Sequence, residues 1–222
     1  MAIDSLNMDQ IDVRVDSVIA IYRHELEAEM NQVLAYSAHV MERGTPEGLL
    51  NNFVADLVMD LGQELYHPDD GKGIDFTLLN YGGLRTSIPE GAVSRARIFE
   101  LMPFENEMVV LTISPGRTSE LFDYLAGSAV GMPVSGIHLE ITNGEVSSVL
   151  IGGEPLDENR PYKVLTSDYL AGGGDNMVFF LDPLHEEYLG MRIRDAIIET
   201  LIRHHEKGEM ISSSLDGRIT RQ

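Results

Sequence analysis

Two glycine-rich turns, almost ninety residues apart, carry the groups in this chain that can do chemistry. The first is Asn80-Tyr81-Gly82-Gly83-Leu84-Arg85, directly after the apolar run Ile74 to Leu79. The second is Gly172-Gly173-Gly174-Asp175, after Tyr169-Leu170-Ala171 and before the apolar run Met177 to Leu181. Glycine lets backbone approach a ligand closely. Arg85 adds a planar fork suited to a phosphate or carboxylate, and Asp175 adds a carboxylate that can accept a pair of sugar hydroxyls. Asn80 can hydrogen-bond a base edge or stabilise its own turn. Between the turns lies Leu101-Met102-Pro103-Phe104-Glu105-Asn106. Phe104 and Tyr169 each offer an aromatic face that can stack on a flat ring, and stacking is worth about 1–3 kcal/mol per base. On position alone each group has a commoner role: a surface ion pair for Arg85, an Asx-type turn for Asp175, and the core for the two aromatics.

The elements that must position these groups read as mixed α and β. Asp16 to Met30 predicts a helix with Val18, Ile19, Tyr22, Leu26 and Met30 near one face, after a loose lead-in over residues 1–12. Gln32 to Met41 suggests a strand. Arg43 to Glu47 is a turn opening a second helix, with Thr45 as N-cap and Pro46 at the first helical position. Leu50, Phe53, Val54, Leu57, Val58, Leu61 and Leu65 give that helix a broad apolar stripe. His67 to Gly71 ends it in a polar loop. Strands follow at Asp75 to Asn80, Met108 to Ser114 and Pro161 to Ser167, and a helix at Gly116 to Ala126 turns Leu121, Tyr124 and Leu125 inward. Asn143-Gly144 joins Gly136–Thr142 to Glu145–Ile151 as a hairpin, and Gly153 to Asp157 is a further turn. Met191 to Lys207 is the last helix, with Ile193, Ala196, Ile197 and Leu201 on one face, basic residues in its final turn and Gly208 as its stop. No internal repeat or low-complexity linker interrupts the chain. The pattern predicts one α+β domain over 1–222, a mixed β-sheet with packed helices.

Composition narrows the function classes. With 36 acidic residues against 16 basic, the net charge is −20. Such a field repels nucleic-acid polymers and anionic lipid, yet one arginine in a cleft can still dominate locally for a small nucleotide. The chain has no cysteine, which removes disulfides, thiolate metal ligands and thiol catalysis together. No run approaches about 18 consecutive apolar residues, so no membrane span is predicted. The sequence contains no Asp-x-His, no Gly-Asn-His-Glu, no phosphate-binding loop of the Walker type and no dinucleotide fingerprint. His204-His205-Glu206 occupies successive helix positions that point in different directions, which suits a solvated helix end.

In order, the motifs resemble the C-terminal, substrate-binding domain of the 5'-nucleotidase and UDP-sugar hydrolase family. That family reads Asn-x-Gly-Gly-(Ile/Leu)-Arg, Pro-Phe-x-Asn, Tyr-x-Val, and an aromatic ahead of Gly-Gly-Asp. This chain supplies all four, with Tyr162-Lys163-Val164 as the third, and the resemblance spans roughly residues 45 to 220. It implies a 5'-nucleotidase C-terminal-domain-like fold and a nucleotide or nucleoside ligand. Phe104 and Tyr169 would sandwich the base. Arg85, Asn80 and Gly83 would hold the ligand, and Asp175 would take the ribose. Tyr169 stands where phenylalanine is common, and Asn176 follows Asp175 where glycine is usual. A second ligand-directed arginine in the family has Arg43 as its nearest counterpart, one position off the usual spacing to Glu47. The family's Leu-Gly-Asn has become Leu50-Asn51-Asn52. By the resemblance, the catalytic divalent metals belong to a metallophosphatase domain, here a separate chain or an N-terminal domain outside this sequence. No cofactor and no catalytic residue are expected in this chain, which would be inactive alone; the alternative is a non-enzymatic nucleotide-binding module or a structural partner. The family also implies a periplasmic or extracellular setting and a part in nucleotide catabolism.

Overall fold

The computed structural model describes residue 19 and residues 22–222. The expected lead-in over 1–12, the first residues of the Asp16–Met30 helix and Val18 lie outside the described residues. The helix itself is present at 22–30 (α1). Of the apolar residues expected on one face, Ile19, Tyr22 and Leu26 are exposed and Met30 is half-buried.

A five-stranded mixed sheet organises the rest. Its order is β10 (His185–Arg192), β4 (Glu107–Ile113), β9 (Tyr162–Ser167), β2 (Phe76–Leu78), β5 (Val134–Ser135). β2 and β9 run parallel and the other pairs antiparallel. Both faces of its centre are covered, and the sequence shows why. Along β4, Met108 and Val110 enter one core while Val109, Leu111 and Ile113 enter the other. A strand sends alternate side chains to opposite faces, so burial on both faces demands the unbroken apolar run seen here. The first core packs α2 (Leu49–Leu65), α3 (Arg95–Leu101) and α6 (Ile193–Glu206), with the small sheet of β1 (Val33–Ser37) and β3 (Gly91–Ser94) beside them. The second holds α4 (Pro115–Gly127) against a four-stranded sheet ordered β11 (Ile219–Arg221), β6 (Ile137–Thr142), β7 (Glu145–Ile151), β8 (Glu154–Pro155). A short helix, α5 (Asp168–Ala171), leaves the end of β9. The architecture is α+β, as expected.

The local readings hold where the signal is strong. The stripe of α2 is buried, with Leu65 only partly so. α4 carries Pro115 in its first turn, and the Ser114 hydroxyl accepts from Arg117 N–H. Asn143 and Gly144 both take positive φ, 53° and 82°, as a two-residue hairpin turn requires.

Several boundaries are corrected. Thr45 does not cap α2 and Pro46 is not its first residue: the N-cap is Gly48, in extended conformation. The Thr45 hydroxyl instead accepts from Gly131 N–H at 3.2 Å. Asn51, fully buried, donates to the Gly131 and Gly44 carbonyls. The Arg43–Glu47 loop is thus tied to a distant turn before the helix begins. The expected strand from Gln32 to Met41 is shorter, with Met41 keeping only a bridge to Ile88. Met191 and Arg192 finish β10, so the last helix starts at Ile193. Within the expected turn from Gly153 to Asp157, Glu154–Pro155 pairs with β7.

One arginine fastens the edge of the central sheet. Arg218 is buried and donates to both carboxylate oxygens of Asp56 on α2 at 2.7 and 2.9 Å. It also donates to both oxygens of Asp216 at 2.9 and 2.8 Å and to the Val134 carbonyl of β5 at 2.7 Å. Burial works against this charge, but the two carboxylates outweigh it and raise the guanidinium pKa further, so Arg218 stays protonated. Both carboxylates are partly exposed, which lowers their strength below that of a fully buried pair. Arg218→Ala is therefore expected to cost about 2–3 kcal/mol in urea unfolding. The guanidinium also holds the Asp216 carboxyl below its usual range. Its contribution is present above the unfolded-state carboxylate pKa and fades as pH falls through the lower folded value. The stability gap between wild type and Asp216→Asn should accordingly shrink during acid titration below about pH 4.

Candidate functional site

Sheet register brings the two glycine turns together. β2 and β9 are parallel neighbours with Thr77 opposite Leu165, so the segments leaving their C-terminal ends emerge side by side. β4 is antiparallel to β9 with Met108 opposite Ser167, so the segment entering β4 arrives at the same end. These three segments are the Asn80–Arg85 turn, the Tyr169–Asp175 turn and the Met102–Asn106 loop. They line a cleft of about 290 Å³, together with Leu79 and Ile193. Of the residues singled out in the sequence, Asn80, Gly83, Arg85, Phe104, Tyr169 and Asp175 all line it. Arg43 does not. Its guanidinium lies 4.3 Å from the centre of the Tyr81 ring and donates to the Tyr81 carbonyl at 3.3 Å, so it grips the first turn.

Asp175 is the hub. Its backbone sits in the left-handed region (φ 52°, ψ 29°), which a non-glycine residue occupies only at some cost. Asn80 Nδ2 donates to Asp175 Oδ2 at 2.8 Å, joining the two glycine turns across the cleft. Tyr169 OH donates to Asp175 Oδ1 at 2.8 Å and accepts from Asp175 N–H at 3.2 Å. Tyr124 OH donates to the Asp175 carbonyl at 3.0 Å. The bond to the Asp175 carboxylate pushes the Tyr169 phenol up, and burial followed by the Asp175 charge does the same to Tyr124. Both hydroxyls therefore remain donors. Each carboxylate oxygen has two acceptor sites, so Asp175 keeps capacity for a ligand hydroxyl on each. Asn176 follows with φ 60°, accommodating the position where glycine is usual.

Two glycines are fixed by space. A Cβ on Gly174 would lie 2.5 Å from the Tyr169 ring and 2.6 Å from the Tyr169 carbonyl. A Cβ on Gly83 would lie 2.8 Å from Asn80 Oδ1, displacing the amide that reaches Asp175. Phe104 and Tyr169 are 42% and 47% exposed, so their rings are available to a ligand rather than committed to the core. Arg85 is also exposed. Its Nη1 reaches the Gly82 carbonyl at 3.4 Å, and among the described residues no carboxylate is paired with it. Among those residues no group of three or more His, Asp and Glu side chains is arranged to hold a metal ion, and no helix is long and apolar enough to cross a membrane.

Two participants were not legible in the sequence. In the sequence Tyr124 reads only as an inward residue of α4, a position that gives no hint of its hydroxyl's partner. Arg194, on the first turn of α6, braces the loop that carries Phe104, and nothing local marks it.

The steric fit at Gly174 makes a direct test. Gly174→Ala should lower stability by about 1–3 kcal/mol, because the Tyr169 ring and its backbone must both move. Urea denaturation measures the loss, and a wild-type midpoint would contradict this packing.

Residues 28–182, most of the chain, match the family model described as 5'-nucleotidase, C-terminal domain. Protein UshA of Escherichia coli is 34% identical over 113 residues, covering 48% of this chain and 20% of that protein. The trifunctional nucleotide phosphoesterase protein YfkN of Bacillus subtilis is 25% identical over 218 residues, 89% of this chain and 14% of its own length. The chain thus spans about a fifth or less of these relatives. Among solved structures, a 5'-nucleotidase precursor from Thermus thermophilus shares the fold, with a TM-score of 0.75 at 21% identity over 95% of this chain and 43% of that one. With the motifs in register and the model matched across both glycine turns, the chain belongs to the 5'-nucleotidase C-terminal domain family.

Proposed function

We propose that this chain is a nucleotide- or nucleoside-binding specificity domain that orients substrate for a 5'-nucleotidase-type phosphohydrolase. The observation that carries the reading is the Asn80–Asp175–Tyr169 network, which preorganises a carboxylate inside a cleft rimmed by two exposed aromatics and an arginine with no carboxylate partner among the described residues. The cleft is at the small end of ligand pockets, which run from about 300 to 1,000 Å³, and suits a base with its sugar. Phe104 and Tyr169 hold the base. Asp175 accepts the ribose hydroxyls, while Asn80 and the close approach allowed by Gly83 fix the orientation. Arg85 answers the phosphate side, and Arg43 contributes by holding Tyr81 in place.

Phosphate ester hydrolysis by metal-activated water belongs, on this reading, to a separate metallophosphatase chain or domain. The contribution of this chain is orientation, which removes much of the entropic cost of bringing ester and nucleophile together. The reading carries with it the family's periplasmic or extracellular setting and a role in nucleotide catabolism.

Calorimetric titration with AMP, adenosine and UDP-glucose tests it. Wild type should bind at least one of them. Phe104→Ala should weaken binding by about 5- to 150-fold, the range set by one stacked base. Asp175→Ala should weaken ribosides by about 10-fold or more, having lost a charged acceptor for two hydroxyls. Absence of binding at millimolar ligand would sink the reading for the isolated chain.

A further inference from the structure

Arg194 sits where electrostatics disfavour it. It is the second residue of α6, in the first turn, where the helix dipole opposes positive charge. It is also 5% exposed, and burying a charge is costly unless it is paired. Its hydrogen-bond acceptors all lie on one short segment, the loop over residues 103–105. Arg194 Nη1 donates to the Pro103 carbonyl at 3.3 Å and, at 3.5 Å, to that of Phe104. Nη2 donates to Glu105 Oε1 at 2.7 Å, and the guanidinium carbon lies 4.3 Å from the centre of the Phe99 ring. Nε has no acceptor among the described residues. Two further bonds pin the same loop: Arg192 to Glu105 Oε2 at 3.1 Å, and Ile193 N–H to the Asn106 carbonyl at 2.9 Å. The loop has no regular structure of its own, and the ring of Phe104 is 42% exposed. The aromatic wall of the cleft is therefore held from behind, through its backbone, by the start of a helix about ninety residues away.

We infer that Arg194 is a positioning residue for the base, fixing the Phe104 ring at its place in the cleft by clamping the 103–105 backbone. The inference rests on the nucleoside-binding reading above. It requires an arginine: a lysine keeps the charge and can reach Glu105, but it lacks the planar fork that spans a carboxylate and two carbonyls at once.

Arg194→Lys tests this, read by adenosine titration with ribose 5-phosphate, which has no base, as the control. Adenosine should bind about 5- to 10-fold more weakly, the scale of one ordinary hydrogen bond's worth of lost positioning. Ribose 5-phosphate should bind within about twofold of wild type, because additive, independent sites leave it unaffected. In a Phe104→Ala background the Arg194→Lys effect on adenosine should shrink below about twofold, since the wall it positions is gone. Glu105→Gln, on an exposed side chain, should produce a smaller shift in the same direction, and it reads the clamp should Arg194→Lys fail to fold. Equal weakening of both ligands, or an undiminished effect in the Phe104→Ala background, would make Arg194 a general structural residue and overturn the inference. Adenosine binding unchanged in both Arg194→Lys and Glu105→Gln would overturn it alone, leaving the nucleoside reading intact. Failure of wild type to bind any nucleoside would remove both.

Discussion

The parallel pairing of β2 with β9 is the constraint on which the site depends. Asn80 and Asp175 are far apart in sequence, and closing a loop of that length has an entropic cost that their one hydrogen bond at the surface could not meet alone. The core meets it instead. Phe76 and Val164 are fully buried partners in the ladder, and the Thr166 hydroxyl donates to the Leu78 carbonyl at 2.8 Å inside the core. Once those strands are joined, the residues leaving their C-terminal ends are neighbours, and the Asn80–Asp175 contact has only to choose an orientation. In open sheets containing parallel strands, ligand sites favour the crevice beyond the carboxyl ends of those strands. Here the crevice forms at the one parallel pair of a sheet that is otherwise antiparallel.

What the sequence made legible follows from how local each signal is. β4 and α2 are readable because their burial writes a period into adjacent residues. The hairpin at Asn143-Gly144 is readable because its turn needs positive φ at two specified positions. β10 is not readable in this way. His185, Glu186 and Glu187 begin it, and its residues alternate between exposed and half-buried at the rim of the sheet, so little apolar alternation distinguishes it from a loop. β11 consists of three residues near the C-terminus whose strand character comes from pairing with β6, a partner some eighty residues away. α3 follows directly on β3, and its seven residues include two arginines and a glutamate, too short a span for a helical stripe to stand out. The misplaced start of α2 has the same origin. Thr45 and Pro46 carry valid capping chemistry, but the distant Gly131 takes the hydroxyl, and Asn51 fastens the loop from inside the helix.

The residues that line the cleft were easier to pick out in the sequence than several boundaries of the fold around them. Its groups cluster in turns, where a glycine or a single polar residue has a specific conformational meaning. Six positions named from sequence line one cleft. Arg43 missed it because a long side chain near a site can as readily serve the frame as the ligand, and the Tyr81 ring offered its guanidinium a flat partner. Arg194 was illegible for the opposite reason. Its role comes from three partners on a loop about ninety residues distant, and in its own helix it looks like one more polar position.

The position of Arg85 bears on how so acidic a chain could hold an anion. A net charge of −20 opposes the approach of any phosphate. At physiological ionic strength, however, charges beyond about 8 Å are largely screened, so the distant surface counts for less than the groups within the cleft. Most arginines of this chain are spent on carboxylates: Arg95, Arg97, Arg117, Arg160, Arg192, Arg194, Arg203 and Arg218 each have one within 4.0 Å. Arg85 has a carbonyl and no carboxylate among the described residues, and it stands at the cleft mouth with the rest of its fork free. Asp175, the carboxylate in the same cleft, has both oxygens bonded to Asn80 and Tyr169. Those donors draw its charge toward the frame and lessen its repulsion of a phosphate nearby. On the proposed reading, the two opposite charges would serve separate parts of one ligand, the carboxylate facing hydroxyls and the guanidinium left for the anion.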